Sequence, residues 1–152
     1  MPYLEALLAY LHIAAILTLV VFMTSLAALC RPQWLNADVV RRLTRVDLIY
    51  WGAWIAVFAT GLARMAWGVK GFGWYAEQPL ILLKIVLFVV IAGLTLPVSH
   101  QLAGWRRTLD AGGALPDVAQ IDTARRRVMI AAHLFLLIPL AAVLVARGIG
   151  TV

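Results

Sequence analysis

Four long apolar stretches alternate with shorter polar connections along the chain. The apolar stretches cover about residues 3–29, 47–67, 79–103 and 128–146. A helix of about 20 apolar residues crosses the hydrocarbon core of a bilayer, so each stretch is long enough to span a membrane. The pattern predicts an all-α membrane protein in which residues 1–152 form a single transmembrane domain. Short connections favour an antiparallel up-down bundle of the four transmembrane helices.

The connections also contain signals for helix ends. Asn36 or Asp38 is placed to cap a short interfacial helix that runs into the second span. Pro79 opens the third span, where proline is favoured, and Asp117 marks a helix start before the fourth span. The single cysteine, Cys30, is expected to be a buried thiol at the end of the first span.

Composition supports the membrane class. Hydrophobic residues make up 64% of the chain and charged residues 13%, with a mean hydropathy of +0.93. Soluble domains average about 45–50% apolar and about 25% charged residues. A small soluble domain leaves much of its surface in water, and this chain has too few charges to cover such a surface. The high apolar fraction excludes a disordered chain, and one cysteine excludes a disulfide scaffold.

The distribution of basic residues predicts an orientation in the membrane. The net charge is +6, and the first and third connections contain nine arginines, whereas Lys70 and Arg147 lie in the second connection and the tail. Since basic loops stay in the cytoplasm, we expect the arginine-rich loops inside and both termini outside. The charge is then a topology signal, and no nucleic-acid partner is expected. The nine arginines are Arg31, Arg41, Arg42, Arg45, Arg106, Arg107, Arg125, Arg126 and Arg127.

Ionisable residues within the spans are the functional candidates, because such a residue costs at least about 2.5–3.5 kcal/mol at the centre of a membrane helix. Their positions place His12, Lys84 and Arg64 in the outer half of the bundle, on the first, third and second spans. His133 and His100 lie nearer the inner face.

Helical geometry predicts the direction of these side chains. Lys84 is expected to point into the bundle, with Thr95 on the same face and His100 on the opposite face, near the cytoplasmic headgroups. His12 and His133 are expected to face inward from the adjacent first and fourth spans.

Inward histidines and cations are typical of a porphyrin site. Neutral imidazole is an axial ligand of haem iron, and porphyrin propionates bind arginine and lysine. The residues therefore favour haem or another porphyrin, with His12 as the metal ligand and Lys84, Arg64 and His133 as further cofactor-binding residues. A structural role remains the alternative for each of them, with Lys84 and Arg64 reaching the outer headgroups. The sequence contains no motif for a catalytic carboxylate pair, a redox CxxC or a nucleophile elbow.

Several motifs resemble a family of small four-helix bacterial membrane proteins of unknown function. They are Leu11-His12, Thr60-Gly61-Leu62-Ala63-Arg64, Gly73-Trp74-Tyr75, the run from Pro79 to Lys84, and Trp105-Arg106-Arg107. That family is similar to HemJ-type protoporphyrinogen IX oxidases and, more remotely, to the membrane domain of CopD-type copper-resistance proteins.

HemJ-type proteins bind haem b and have a histidine in the first span and a lysine in the third, which match His12 and Lys84. Ile81, Leu82 and Leu83 stand here where HemJ-type proteins have Trp-Leu-His. The resemblance thus implies a haem or porphyrin site, and it implies porphyrinogen oxidation less directly.

The first hypothesis is therefore a HemJ-like protein of the bacterial inner membrane that binds haem b or a related tetrapyrrole in a redox or haem-metabolism role. The second is a non-enzymatic membrane subunit or assembly factor that has no cofactor and binds a membrane-protein partner or a second copy of itself. The third is a copper-handling membrane module.

Overall fold

A computed structural model describes residues 2–68 and 71–150 of the chain. The regular structure in these ranges is entirely helical, which confirms the predicted all-α class. Lys70, one of the two basic residues expected on the outer side, lies outside the described residues. The helices are α1 (Pro2–Leu29), a 3-10 helix (Pro32–Trp34), α2 (Ala37–Trp67), α3 (Gly71–Glu77), α4 (Pro79–Asp110), α5 (Val118–Phe135) and α6 (Leu137–Ala146).

Four helical segments are long and apolar enough to cross a membrane, namely Tyr3–Leu29, Ala37–Trp67, Pro79–Asp110 and Val118–Ala146. α1 packs against α2 and α5, α2 packs against α4, and α4 packs against α5 and α6. Each span therefore contacts the spans before and after it, and the fourth span returns to the first. This is the arrangement expected for an up-down four-helix bundle.

The second span begins earlier than its apolar stretch indicates. α2 starts at Ala37 rather than near Asp47, because the predicted interfacial helix continues into the span without a break. The side chain of Asn36 caps this helix by accepting a hydrogen bond from the backbone N–H of Val39 at 2.9 Å. Asp117 caps α5 in the same way, through the N–H of Gln120 at 2.7 Å.

The fourth span is interrupted, which its apolar pattern alone did not predict. α5 ends at Phe135 and α6 begins at Leu137, with Leu136 between them. Pro139 explains the break, because proline lacks an N–H and its ring collides with the carbonyl four residues earlier. Both halves pack against α4, and α5 packs against α1 as well. The two halves of the span therefore share α4 as a neighbour.

The hydrophobic core occupies the half of the bundle next to the arginine-rich connections. It includes Leu19, Leu26, Val128 and Ile91, and it ends on Cys30, whose predicted burial is confirmed. Residues of all four spans form this core, so the spans pack together most tightly at this end of the bundle. The opposite half, which we call the outer half, has fewer buried side chains on α1.

Polar side chains join α2 and α4 inside the bundle. Ser99 Oγ donates to Asp47 Oδ1 at 2.7 Å and accepts from Trp51 Nε1 at 2.6 Å. The buried Tyr50 hydroxyl lies 3.0 Å from Thr95 Oγ1, which confirms that Thr95 faces inward. In an apolar medium each such group needs a partner, so these bonds set the register between α2 and α4.

Candidate cofactor site in the outer half

A polar cluster lies directly outside the hydrophobic core, in the outer half of the bundle. We define the outer cluster as His12 on α1, Thr60 and Arg64 on α2, and Lys84 on α4. His12 precedes Leu19, the first core residue of α1, by two helical turns. Lys84 has the same offset from Ile91, the first residue of α4 in that core. The cluster therefore begins where apolar packing among the four spans ends.

A hydrogen bond between α1 and α2 orients His12. The Nδ1 atom of His12 lies 2.8 Å from Thr60 Oγ1. The single hydroxyl proton of Thr60 already points to the carbonyls of Ala56 and Val57, at 2.6 and 3.2 Å. Thr60 must then accept from His12, so Nδ1 carries the proton. The backbone of Val57 also interacts with the imidazole, and Thr60 is the side chain that engages Nδ1.

This arrangement is the one that metal-bound histidines use. A ligating imidazole usually donates its second ring N–H to a nearby oxygen, which fixes the tautomer and the orientation of the ring. In His12 the Nδ1–H is held by Thr60, and the remaining nitrogen, Nε2, is the one that can bind a metal or accept a proton. The geometry therefore assigns a ligand-competent nitrogen to His12.

Gly61 allows α1 and α2 to approach at this point. A Cβ atom at Gly61 would lie 3.4 Å from Cε1 of His12, already in van der Waals contact. Any larger side chain at this position would occupy the space of the imidazole. Gly52 and Gly93 differ, because nothing lies within 4 Å of a Cβ built there. The glycine at position 61 therefore has a specific packing role beside His12.

Two cations act on the imidazole. The charges of Arg64 and Lys84 reach His12, and they also act on each other. Both side chains are half-buried. Neither is paired with a carboxylate within 4.0 Å in the part of the chain that the structure describes. Two like charges held together in a low-dielectric environment are stabilised by an anion, so this pair favours a ligand with negative groups.

The enclosed space beside the cluster is small. Glu5, Arg64 and Tyr75 border a cavity of about 10 Å³, which is the space that one water molecule needs. Glu5 lies two turns before His12 on the same face of α1. A drug-sized ligand fills roughly 300–1,000 Å³. The outer cluster is therefore a set of side chains at the edge of the bundle, rather than the lining of a closed pocket.

An aromatic stack lies between the cluster and the core. The ring of Trp54 is nearly parallel to that of Phe88, with centroids 4.4 Å apart, and Phe58 lies beside both rings, 5.9 Å from Trp54 and 6.5 Å from Phe88. Trp54 and Phe88 pack against the core. The indole Nε1 of Trp54 is buried and has no partner among the described residues. The stack provides a flat apolar surface with one free N–H donor near α2 and α4.

The structure separates the other two histidines from the cluster. His100 is exposed on α4, as predicted from its position opposite Lys84. His133 is also exposed, and its Nδ1 donates to the carbonyl of Met129 on the same helix at 2.7 Å. The expectation that His133 faces inward with His12 is therefore wrong. Its imidazole is satisfied by the backbone of its own helix and points away from the bundle.

Thr60 and Gly61 were not among the predicted site residues. Thr60 precedes Arg64 by four positions, and residues at this spacing share one face of a helix. That spacing was the available signal, but many threonines in membrane helices only bond to their own backbone, as Thr18 does to Ala14. The role of Thr60 becomes visible only when α1 is placed beside α2.

In the described residues no three His, Cys, Asp or Glu side chains come together as a metal-binding group. A protein-built metal site generally needs three or four such ligands. Haem needs fewer, because the porphyrin supplies four nitrogens itself and the protein adds one or two axial ligands. A single oriented histidine is therefore compatible with haem and gives less support to a copper site.

Fold and site together define an integral all-α membrane protein with four candidate spans and a polar cluster at one end. Residues 4–150 match the family model described as "Predicted membrane protein (DUF2214)", and the chain belongs to that family. The match covers nearly the whole chain and confirms the resemblance to a family of membrane proteins. No curated protein and no solved structure gives a significant match.

Proposed function

We propose that this protein binds haem b or a related propionate-bearing porphyrin at the outer cluster, in a bacterial inner membrane. The observation that carries the proposal is the hydrogen bond between His12 Nδ1 and Thr60 Oγ1, which leaves Nε2 of His12 as the available ligand atom. The resemblance of His12 and Lys84 to the histidine and lysine of HemJ-type proteins supports the same assignment.

The donor set matches the chemistry of the group. His12 would bind the iron, and Arg64 and Lys84 would bind the propionates through charge-assisted hydrogen bonds. When bound, haem supplies one-electron redox chemistry to the site. Thr60 holds the imidazole in one tautomer, and the two cations would compensate the negative charge of a bound porphyrin. These roles support a redox or haem-metabolism function.

Access to the site is from the bilayer. The enclosed cavity beside Arg64 is far smaller than a porphyrin. Both halves of the broken fourth span pack against α4, and α5 also packs against α1. The macrocycle would therefore be only partly enclosed by protein, in contact with lipid. Apolar porphyrin edges are compatible with hydrocarbon, while the propionates need the cations of the cluster.

The test is an absorption spectrum of the whole protein, purified in detergent from haem-replete cells and then titrated with hemin. The expected result is a Soret band that shifts when dithionite reduces the iron. His12→Ala should lose the band, because the substitution removes the axial ligand itself. Arg64→Gln and Lys84→Gln should weaken hemin binding. The hemin that still binds should show the same Soret band as in the parent protein, because His12 is still present as the axial ligand.

His133→Ala is the matched control. It removes the same residue type from a span, but from an exposed position bonded to its own helix. This variant should keep the spectrum of the parent protein. The proposal is wrong if the protein stays colourless after hemin addition, or if His133→Ala loses the band and His12→Ala retains it. A colourless protein that co-purifies with another membrane protein would instead support a non-enzymatic subunit.

A further inference from the structure

We propose that the arginine-rich end of the bundle has a second, independent site, which binds the phosphate of an anionic lipid headgroup through Arg31 and Arg125. The site lies at the opposite end of the bundle from the outer cluster. It is formed where the connection after α1 meets the beginning of α5.

The two arginines come from segments that pack together. Arg31 directly precedes the 3-10 helix Pro32–Trp34, and this helix packs against α5. Arg125 is on α5, and its charge acts on the thiol of Cys30, the neighbour of Arg31. The chain therefore brings two guanidinium-bearing residues that are far apart in sequence to the same corner of the bundle.

Both guanidinium groups have an unused buried donor. The Nε atoms of Arg31 and Arg125 are buried and have no hydrogen-bond partner in the described part of the chain. A buried donor without a partner is costly, and the cost is larger for a charged group. The ion-paired arginines, by contrast, are at the surface and use a carboxylate of their own helix, Arg41 with Asp38 and Arg106 with Asp110. Because the Nε atoms themselves are shielded by protein, an acceptor from outside the described residues would bind the terminal Nη atoms of Arg31 and Arg125.

A carboxylate lies near this corner but is not paired with either arginine among the described residues. The charge of Asp47 also acts on Cys30, so its carboxylate is close to this corner. Its Oδ1 accepts a hydrogen bond from Ser99, and it makes no ion pair with either arginine among the described residues. The planar fork of an arginine matches the oxygens of a phosphate and binds two of them at once. A phosphate is thus the acceptor that these donors fit.

The surroundings favour a lipid as the source of that phosphate. The Arg31 guanidinium carbon lies 4.9 Å from the ring centre of Trp34, and Trp34 is 55% exposed. Tryptophan at the end of a membrane span sits at the level of the lipid headgroups. The ring holds the Arg31 guanidinium at this level by a cation–π contact. A headgroup phosphate in the adjoining leaflet would then lie within reach of both arginines.

The experiment is a native mass spectrometry titration of delipidated protein in detergent. The three probes are dioleoylphosphatidylglycerol, dioleoylphosphatidylcholine and inorganic phosphate. The expected result is one tightly bound phosphatidylglycerol, with weaker binding of the zwitterionic lipid and of free phosphate. Arg31→Gln and Arg125→Gln should each weaken phosphatidylglycerol binding about fivefold, the usual effect of one basic residue at an anionic membrane surface.

Arg126→Gln is the matched control, because Arg126 is adjacent in sequence and exposed. It should leave phosphatidylglycerol binding nearly unchanged. Arg31→Lys keeps the positive charge but removes the planar guanidinium group, so its affinity for phosphatidylglycerol should lie between those of the parent protein and Arg31→Gln. This variant remains informative if Arg31→Gln fails to fold. Equal binding of the two lipids, an equal loss in Arg126→Gln, or free phosphate binding as tightly as phosphatidylglycerol would each overturn the proposal.

Discussion

His12 on α1 and Thr60 on α2 are joined by a 2.8 Å hydrogen bond in the outer half of the bundle. The Thr60 hydroxyl donates to its own helix, so it can only accept from His12. One side-chain contact therefore sets the orientation of the imidazole and its tautomer, and it adds a polar link between two transmembrane helices. It lies beside two cations that have no carboxylate partner in the described residues.

Thr60→Val should weaken hemin binding by about 10- to 100-fold, because the isosteric side chain cannot accept the proton of His12 Nδ1. Thr60→Ser keeps the hydroxyl and should bind hemin as the parent protein does. Hemin titrations followed at the Soret band measure both affinities. Equal affinities for the valine and serine variants would show that the hydrogen bond does not position the ligand.

Gly61→Leu should displace His12, because the first atom of any side chain there already touches the imidazole. Overpacking of this kind costs about 1–3 kcal/mol of stability, and the displaced histidine should also lose hemin. Gly93→Leu provides the comparison, since a side chain there meets open space. Thermal unfolding in detergent and hemin titration should show a loss for the first variant only. A similar loss at Gly93 would contradict the packing role of Gly61.

Ser99→Ala should destabilise the bundle by about 1–3 kcal/mol, because it leaves Asp47 and the Trp51 indole without their shared partner. Ser25→Ala removes a hydroxyl bonded only to the carbonyl of Val21 on the same helix, and its effect should be within about 0.5 kcal/mol. Unfolding in mixed micelles, followed by circular dichroism, measures both values. An equal loss of stability in the two variants would show that the bonds of Ser99 with Asp47 and Trp51 do not stabilise the bundle more than an ordinary hydroxyl does.

The buried thiol of Cys30 should make the stability of the protein depend on pH. Burial raises the pKa of its thiol from 9.0 to about 12, and the charge of Asp47 contributes in the same direction. The unfolded chain therefore loses this proton first as the pH rises. The contribution of the buried, protonated Cys30 thiol to the free energy of unfolding is therefore complete below pH 9, and it is lost as the pH rises toward 12. Comparing denaturation of the parent protein and Cys30→Ala at pH 8 and pH 10.5 should show the steeper decline in the parent. If stability falls equally with pH in the parent protein and in Cys30→Ala, the predicted role of the Cys30 thiol is wrong.

The orientation is testable with reporter fusions. Alkaline phosphatase is active only outside the cytoplasm, so a fusion after Val152 should be active and one inserted at Gly113 should be inactive. The physical reason is the arginine content of the first and third connections. Green fluorescent protein at the same two sites should give the opposite pattern. An inactive phosphatase after Val152, with fluorescence from the second reporter there, would reverse the orientation.

Hydropathy along the sequence was sufficient for the class of protein and for the number of spans, because insertion into a bilayer depends on the summed apolar character of about 20 consecutive residues. The caps at Asn36 and Asp117 were also predictable, since a cap acts within one helical turn. The outer position of His12, Arg64 and Lys84 followed from the same counting along each helix.

Contacts between helices were decided only by the tertiary structure. The rotation of each helix and its register with its neighbours depend on packing across the bundle, which no local window contains. Packing made Thr60 the partner of His12 and left His133 bonded to its own helix, on the exposed side. It also placed α5 against both α1 and α4, and α6 against α4. The sequence therefore determined which residues lie at the same level along the helices, and packing determined which of them meet.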